Sequence, residues 1–519
     1  MRDSFFLREM TITDVLQYIS QLNPKKANKL DCVPTLIIKN CANTLAPILV
    51  KLFNKCITDG IFPNKLKSAE IHPIFKKGNK LLTTNHRPIS ILSPFSKIFE
   101  RHIHTELNKF ITKHKILHPF QFGFRTNSST EMALTQIIEE IADEIQKGNF
   151  TCSVFLDLAK AFDTVNHEIL IKKLYNYGVR GLPAKLIENY LNNRTQITIV
   201  NNTKSDKEFI NCGVPQGSIL GPLLFNIYIN DIVSASNFRV KLFADDACLM
   251  YSGSNVRDLE NKVNLELNNI NNWRKFNKLS VNFSKSNYII FTNKKNKYNY
   301  TITMDGNILD RTVDTKYLGV ILDQKLKWNK HINYIINKIT KTSYILSKIR
   351  HYVNINTLKS LYYSLVHPHL NYCLTAWGGA PNSTIKPLII FQKKIIRIMT
   401  FSKFDNPSAE LFLRLNILPI NQLYNLNVSL LMYKIHHSLI TGKYKLIQID
   451  KLHSHNTRLS KNKNYYHSFN KLNIGLNTFS AQGTKIWSNL SNTLKQLPLH
   501  LFKKELKQYL INSLKEQIT

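Results

Sequence analysis

Carboxylates placed at the ends of apolar segments constrain this chain more than any other feature of its sequence. The run Cys152-Ser-Val-Phe-Leu-Asp157 is short, continuous and apolar, and it suits a buried strand that finishes on an acid. Residues 239–250, Arg-Val-Lys-Leu-Phe-Ala-Asp-Asp-Ala-Cys-Leu-Met, read as two strands around a tight acidic turn at Asp245-Asp246. Adjacent acids withdrawn from water repel one another unless a cation or other partner neutralises them. Three carboxylates converging from a strand end and a turn can hold two Mg²⁺ ions about 3.5–4 Å apart. That geometry serves in-line nucleotidyl transfer, one ion activating the attacking hydroxyl and the other stabilising the leaving pyrophosphate. An Asp-Asp turn alone is most often a solvated hairpin, because Asp favours turns. The surrounding sequence therefore has to decide.

Charge narrows the choice. Among 519 residues, Lys+Arg number 70 and Asp+Glu 34, a formal net charge of +36. The counterpart of so much positive charge is a polyanion, and nucleic acid leads over an anionic membrane. With 43% hydrophobic residues the chain has ample material for packed cores, which excludes disorder as its main state. No apolar run approaches the roughly 18 residues of a membrane span, and Met1-Arg2-Asp3-Ser4 opens no signal peptide. Seven cysteines (32, 41, 56, 152, 212, 248 and 373) are scattered with no Cys-x-x-Cys pair, which argues against disulfides and zinc and fits a reducing compartment. The pairs His102/His104, His367/His369 and His453/His455 have no Cys nearby to complete a metal site and read as ordinary residues.

Periodicity divides the chain into three parts: a helical N-terminal extension over 1–54, a mixed region over 55–325, and a helical, basic region over 326–519. Within the mixed region, Lys67–Pro73 alternates like a strand before the basic turn Lys76-Lys77-Gly78-Asn79-Lys80, and Glu131–Lys147 carries Leu134, Ile137, Ile138, Ile141 and Ile145 on one helical face. Asp163-Thr164 reads as a start signal for a helix over Val165–Leu174, and Asp231 as the end of a helix or turn. Beyond 326, helices are expected between Trp328 and His351 and over Leu361–Leu374, Leu388–Met399, Leu423–His437 and Phe502–Leu514, with a loop at Thr292–Tyr300.

Several segments together carry a resemblance. Phe155-Leu-Asp157-Leu-Ala-Lys-Ala-Phe162-Asp163-Thr-Val-Asn-His167 resembles motif A, and Gly213-Val-Pro-Gln216-Gly-Ser-Ile-Leu-Gly-Pro222 with Asn230-Asp231 motif B, of the reverse transcriptases of non-LTR (LINE-type, jockey-like) retrotransposons. Phe243-Ala-Asp245-Asp246 stands where that family carries a Tyr/Phe-x-Asp-Asp box. Trp273, Leu279, Asn282 and Lys285 with Phe291 resemble motif D, and Tyr317-Leu-Gly-Val320 the primer-grip region after it. Upstream, Pro73-Ile-Phe-Lys76-Lys77-Gly78, Asn85-His-Arg87-Pro-Ile-Ser-Ile-Leu92 and Gln121-Phe-Gly-Phe-Arg125 are similar to the family's fingers. The motifs follow in the family's order.

The resemblance implies an α+β fold, a right-hand polymerase with fingers and an antiparallel-sheet palm, followed by a helical thumb and C-terminal helical region. It implies RNA-templated addition of dNTPs to a DNA 3′-hydroxyl, with Asp157, Asp245 and Asp246 as ligands of two Mg²⁺ ions (Mn²⁺ as substitute). Phe162 would lie under the sugar and crowd a 2′-hydroxyl, and Gln216 would approach template and nucleotide from a loop. Lys76 and Arg87 would offer cations to the triphosphate, and Lys285 would protonate departing pyrophosphate. The expected partners are RNA template, DNA primer or target and dNTPs, with no membrane and no obligate protein partner evident. The expected location is nuclear and/or cytoplasmic. Fewer than 90 residues precede Arg87, so no endonuclease domain is expected ahead of the polymerase. Two other readings stay open: a catalytically silent, domesticated or decayed RNA-binding relic of the same fold, and a group II intron maturase-like polymerase.

Overall fold

The computed structural model describes residues 3–25, 33–295, 298–440, 444, 446–452, 464–467 and 470–515. Cys32 and His453/His455 lie outside them. The strands in chain order are β1 (Ser68–Phe75), β2 (His86–Ile91), β3 (Phe150–Ala159), β4 (Arg194–Val200), β5 (Thr203–Lys204), β6 (Glu208–Ile210), β7 (Arg239–Phe243), β8 (Asp246–Gly253), β9 (Ser280–Val281), β10 (Asn287–Phe291), β11 (Thr303–Met304), β12 (Asn307–Ile308), β13 (Asp310–Arg311), β14 (Asp314–Tyr317) and β15 (Val320–Asp323). Two compact units are formed, one from Met1–Phe124, Leu156–Asn237 and Glu266–Lys285, the other from Arg125–Phe155, Phe238–Leu265 and Ser286–Thr519.

The first unit is built on a sheet in which β1 and β2 pair antiparallel, Glu70↔Ile91 through Phe75↔His86, while β4 lies parallel to β1 and β6 antiparallel to β4. Pro94–Lys113 begins as a helix should, with Ser93 accepting from the Phe95 N–H and Pro94 in the first turn. Its Phe99 stacks on Phe53 at 4.6 Å and on Phe62 at 5.2 Å, and Phe62 meets Tyr190 edge-on. These rings join the helices Pro94–Lys113, Ala42–Asp59 and Gly181–Leu191 in one core. The same helix buries Glu100 completely. Its carboxylate accepts from Ser96 Oγ at 2.9 Å and from the N–H groups of Ile219 (2.7 Å) and Leu220 (3.3 Å), which fixes the entry to the helix Gly221–Ile229. Burial raises the Glu100 pKa, opposed by Arg194 and by these donors.

The second unit carries a sheet in the order β13-β10-β3-β8-β7. β10 runs antiparallel to β3 from Asn287↔Phe155 to Phe291↔Thr151, and β7 antiparallel to β8. Val154, Leu242, Leu249, Met250 and Phe291 are buried in it, with the helix Thr130–Gln146 supplying Leu134, Ile137 and Ile141 to the core. Lys241 on β7 is buried and pairs with Glu140 at 2.6 Å; burial lowers its pKa and Glu140 opposes that. Beyond β15 the unit is helical: Asn329–Ile349, Asn382–Thr400, Ile420–His436 and Leu499–Lys515 gather Trp377, Trp487, Met432 and Phe502 in a buried core. The single helix expected over Leu361–Leu374 is instead three pieces, Ile355–Leu365, His367–Asn371 and Leu374–Trp377. Pro368 cannot continue the preceding helix, and Cys373 adopts a left-handed φ of 50°.

Candidate active site

The acidic turn forms where its sequence places it. β7 and β8 pair to the last rung, Phe243↔Asp246, so only Ala244 and Asp245 make the turn. Ala244 has a φ of 56°, a left-handed backbone that costs a non-glycine residue about 1–2 kcal/mol and that the flanking ladder must hold. Asp245 therefore sits at the hairpin tip and Asp246 opens β8. Tyr317, at the end of β14, donates its hydroxyl to the main-chain oxygen of Asp246 at 3.4 Å, and its ring lies 5.0 Å from that of Phe155. Burial first, then Cys248, Asp246 and Asp245, push the Tyr317 pKa well above its ordinary value, so it stays a neutral donor.

Asp157 belongs to the first unit, because β3 passes from one unit to the other at Leu156. Here β3 pairs with β9, Leu158↔Val281 and Ala159↔Ser280. The Asn282 N–H then donates to the Asp157 main-chain oxygen at 2.8 Å, and the Lys285 N–H to Asn282 oxygen at 3.1 Å. The turn so formed brings Lys285 Nζ to 3.5 Å from the Asp157 carboxylate, both side chains part-exposed at 48% and 31%. A pair this open contributes under about 1 kcal/mol to stability, so its interest is chemical. Among the described residues no three His, Cys, Asp or Glu side chains close a metal cage by themselves. Mg²⁺ does not require one: carboxylates bind it together with water and substrate phosphate oxygens, and Asp157, Asp245 and Asp246 are donors of that hard-oxygen kind.

Gln216 and Phe162 meet around the loop after β6. Phe162 stacks on Phe225 at 4.6 Å and takes the edge of Phe124 at 5.9 Å, which holds the ring as a rigid wall. Asp163 does not start a helix. The helix is His167–Asn176, capped by the Asn166 side chain on the Ile169 N–H, and both Asp163 carboxylate oxygens instead lie 2.9 and 3.0 Å from Gln216 Nε2. A cavity of about 400 Å³ opens beside this pair, lined among others by Pro88, Ser90, Lys160, Asp163, Arg194 and Gln216. Lys76 and Arg87 stand apart from its lining, exposed on the β1–β2 hairpin, where Arg87 faces Ile74 and the Lys76 N–H donates to Asn85. Asp231 lies in the turn Asn230–Ser234 and binds Lys173 Nζ at 2.7 Å and Trp273 Nε1 at 3.0 Å.

Sequence reasoning missed Arg194, Glu100 and the Asp163–Gln216 contact. Arg194 is fully buried, donates from Nη1 to the Tyr190 oxygen at 3.1 Å, and among the described residues Nε and Nη2 have no hydrogen-bond partner. A signal for it existed in the strand itself, where an arginine heads an otherwise uncharged run. Burial of that arginine depends on partners far away in sequence.

A family model described as reverse transcriptase (RNA-dependent DNA polymerase) matches residues 74–322. The chain is 28% identical over 404 residues to the RNA-directed DNA polymerase from mobile element jockey of Drosophila funebris, 75% of this chain and 43% of that protein. The jockey polymerase of Drosophila melanogaster is 28% identical over 410 residues, 75% of this chain and 44% of that protein. A transposon BS protein of the same fly is 27% identical over 456 residues, 84% of this chain and 50% of that protein. The chain thus spans about half the length of the curated relatives it matches, or somewhat less. Residues 74–322 thus match the reverse transcriptase family, and over three quarters of its length the chain is similar to the RNA-directed DNA polymerases of jockey elements.

Proposed function

We propose that this chain is an RNA-directed DNA polymerase that adds dNTPs to a DNA 3′-hydroxyl on an RNA template. The observation that carries the reading is the strained Ala244 turn, which sets Asp245 and Asp246 at the head of a two-strand hairpin inside a reverse transcriptase domain. Asp157, Asp245 and Asp246 would hold divalent ions, with Mg²⁺ first and Mn²⁺ as substitute. When bound, those ions supply hydroxyl activation and charge neutralisation at the leaving pyrophosphate. Lys285 would hold a proton at Nζ for that pyrophosphate, with Asp157 keeping the ammonium in place. Phe162, fixed between two rings, would exclude a 2′-hydroxyl. Gln216 would read the incoming nucleotide, and Lys76 and Arg87 would attract its triphosphate from the hairpin. In this reading residues 55–325 form fingers and palm and 326–519 the thumb. Among the described residues no helix is long and apolar enough to cross a membrane; the element's need for chromosomal DNA favours action in the nucleus.

The test is primer extension on poly(rA)/oligo(dT) with Mg²⁺, native chain against Asp245→Asn/Asp246→Asn. Native synthesis lost at least a hundredfold in the double variant, about 3 kcal/mol of barrier, is the expected result. A well-folded native chain that binds RNA yet extends no primer would turn the reading to a silent relic.

A further inference from the structure

We propose that Asp163 is a positioning residue, fixing the side-chain amide of Gln216 in the one orientation from which it meets the incoming nucleotide. The inference rests on the polymerase reading above and adds a residue to it.

The chemistry of the pair is one-sided. An ionised carboxylate only accepts hydrogen bonds, so the face Gln216 turns to Asp163 must be its NH₂. Both carboxylate oxygens lie within 3.0 Å of Nε2. The amide oxygen is thereby directed away from Asp163, and the two ends of the amide, otherwise interchangeable, are no longer so. Asp163 is available for this because Asn166 has taken over the helix cap.

The backbone around the pair is equally determined. The Gly213 N–H donates to Val165 oxygen at 2.7 Å, the Val214 N–H to Phe162 oxygen at 2.8 Å, and the Ser90 N–H to Gln216 oxygen at 2.7 Å. His167 Nε2 lies 2.8 Å from the Gly213 oxygen. Gly213 has a φ of 87°, and a Cβ there would lie 2.6 Å from the Asp163 oxygen, so the two segments touch main chain to main chain. Main-chain contacts thus set the spacing of Asp163 and Gln216, and the side chains share the lining of one cavity. Burial raises the Asp163 pKa, opposed first by the Gln216 amide and then by Lys160.

Asp163→Asn keeps volume and shape but offers Gln216 both a donor and an acceptor, so either end of the amide can face it. Steady-state extension on poly(rA)/oligo(dT) should show KM for dTTP raised about tenfold, the loss of one charge-assisted hydrogen bond, with kcat, primer–template affinity and melting temperature near native. On a Gln216→Ala background the same substitution should do nothing further. Native-like KM in Asp163→Asn overturns the proposal, as does an effect of equal size with and without Gln216. If Asp163→Asn melts early, Asp163→Ser, which keeps a small acceptor, takes its place in the same cycle under the same criteria. An active native chain indifferent to position 163 removes this inference alone; a native chain without synthesis removes the polymerase reading and this inference with it.

Discussion

In the polymerase proposed above, Phe162 would carry sugar specificity by being unable to move. Held face-on by Phe225 and edge-on by Phe124, it cannot retreat from a bulkier sugar, whereas an alanine leaves space. Phe162→Ala should raise ribonucleotide use relative to deoxyribonucleotide by about tenfold or more, read from extension with each substrate. Glu100 illustrates the opposite economy, a charge buried for architecture. Glu100→Ala strands three donors, Ser96 Oγ and the Ile219 and Leu220 N–H groups, and should cost about 2–4 kcal/mol in chemical denaturation, while Glu100→Gln keeps an acceptor and should cost far less. At this scale the acidic turn at Asp245-Asp246 was legible, because two apolar strands flank it. Asp163 was not. An Asp-Thr pair before an apolar run favours a cap on local grounds, and the choice between residues 163 and 166 is settled by Gln216, more than fifty residues away.

Turns and helix ends carry the next layer. In the β14–β15 hairpin, Leu318 and Gly319 have φ of 45° and 83°. The Tyr372 hydroxyl lies 3.0 Å from the Leu318 oxygen, and a Cβ on Gly319 would lie 2.9 Å from the Tyr372 ring. Gly319→Ala should therefore destabilise this turn by about 1–3 kcal/mol, seen as a lower melting temperature, and Tyr372→Phe by less. Just after the hairpin, His331 is buried and its pKa is lowered by that burial, with help from Lys316, to about 4. Its Nδ1 accepts the Ile321 N–H at 3.3 Å, which only a neutral ring can do. The unfolded chain takes up this proton near pH 6.5 and the folded one only near 4, so the contribution is full above 6.5 and is lost as pH falls toward 4. The loss should reach about 3 kcal/mol for this group, and His331→Asn should flatten that part of the stability–pH curve. Elements with strong periodicity were legible: the strand at Asp157, the hairpin at Asp245-Asp246 and the helix Asn329–Ile349 all stand close to their expected bounds. The break within 361–374 was harder to see, because Cys373 carries no mark of a left-handed residue.

For the whole molecule the net charge of +36 sets the terms of association. Exposed rings beside cations, Arg350 over Phe401 at 4.8 Å and Arg397 over Phe404 at 5.5 Å, offer stacking surfaces within that field. Binding to an RNA–DNA primer–template should weaken with a log–log salt slope of about −5 or steeper, as for six or more neutralised phosphates; a flat response in a fluorescence titration would contradict this. Net charge was open to simple counting, whereas the division into two interleaved units was not, since it follows from pairings such as β3 with β10 that span over a hundred residues. That interleaving bears on synthesis at the ribosome. The first unit lacks its last segment until Lys285 has emerged, and the second, begun at Arg125, must wait for the helices beyond Ser286. The earlier segments are thus obliged to remain incomplete until those later ones emerge, and a premature stop before residue 285 would yield no finished unit of either kind.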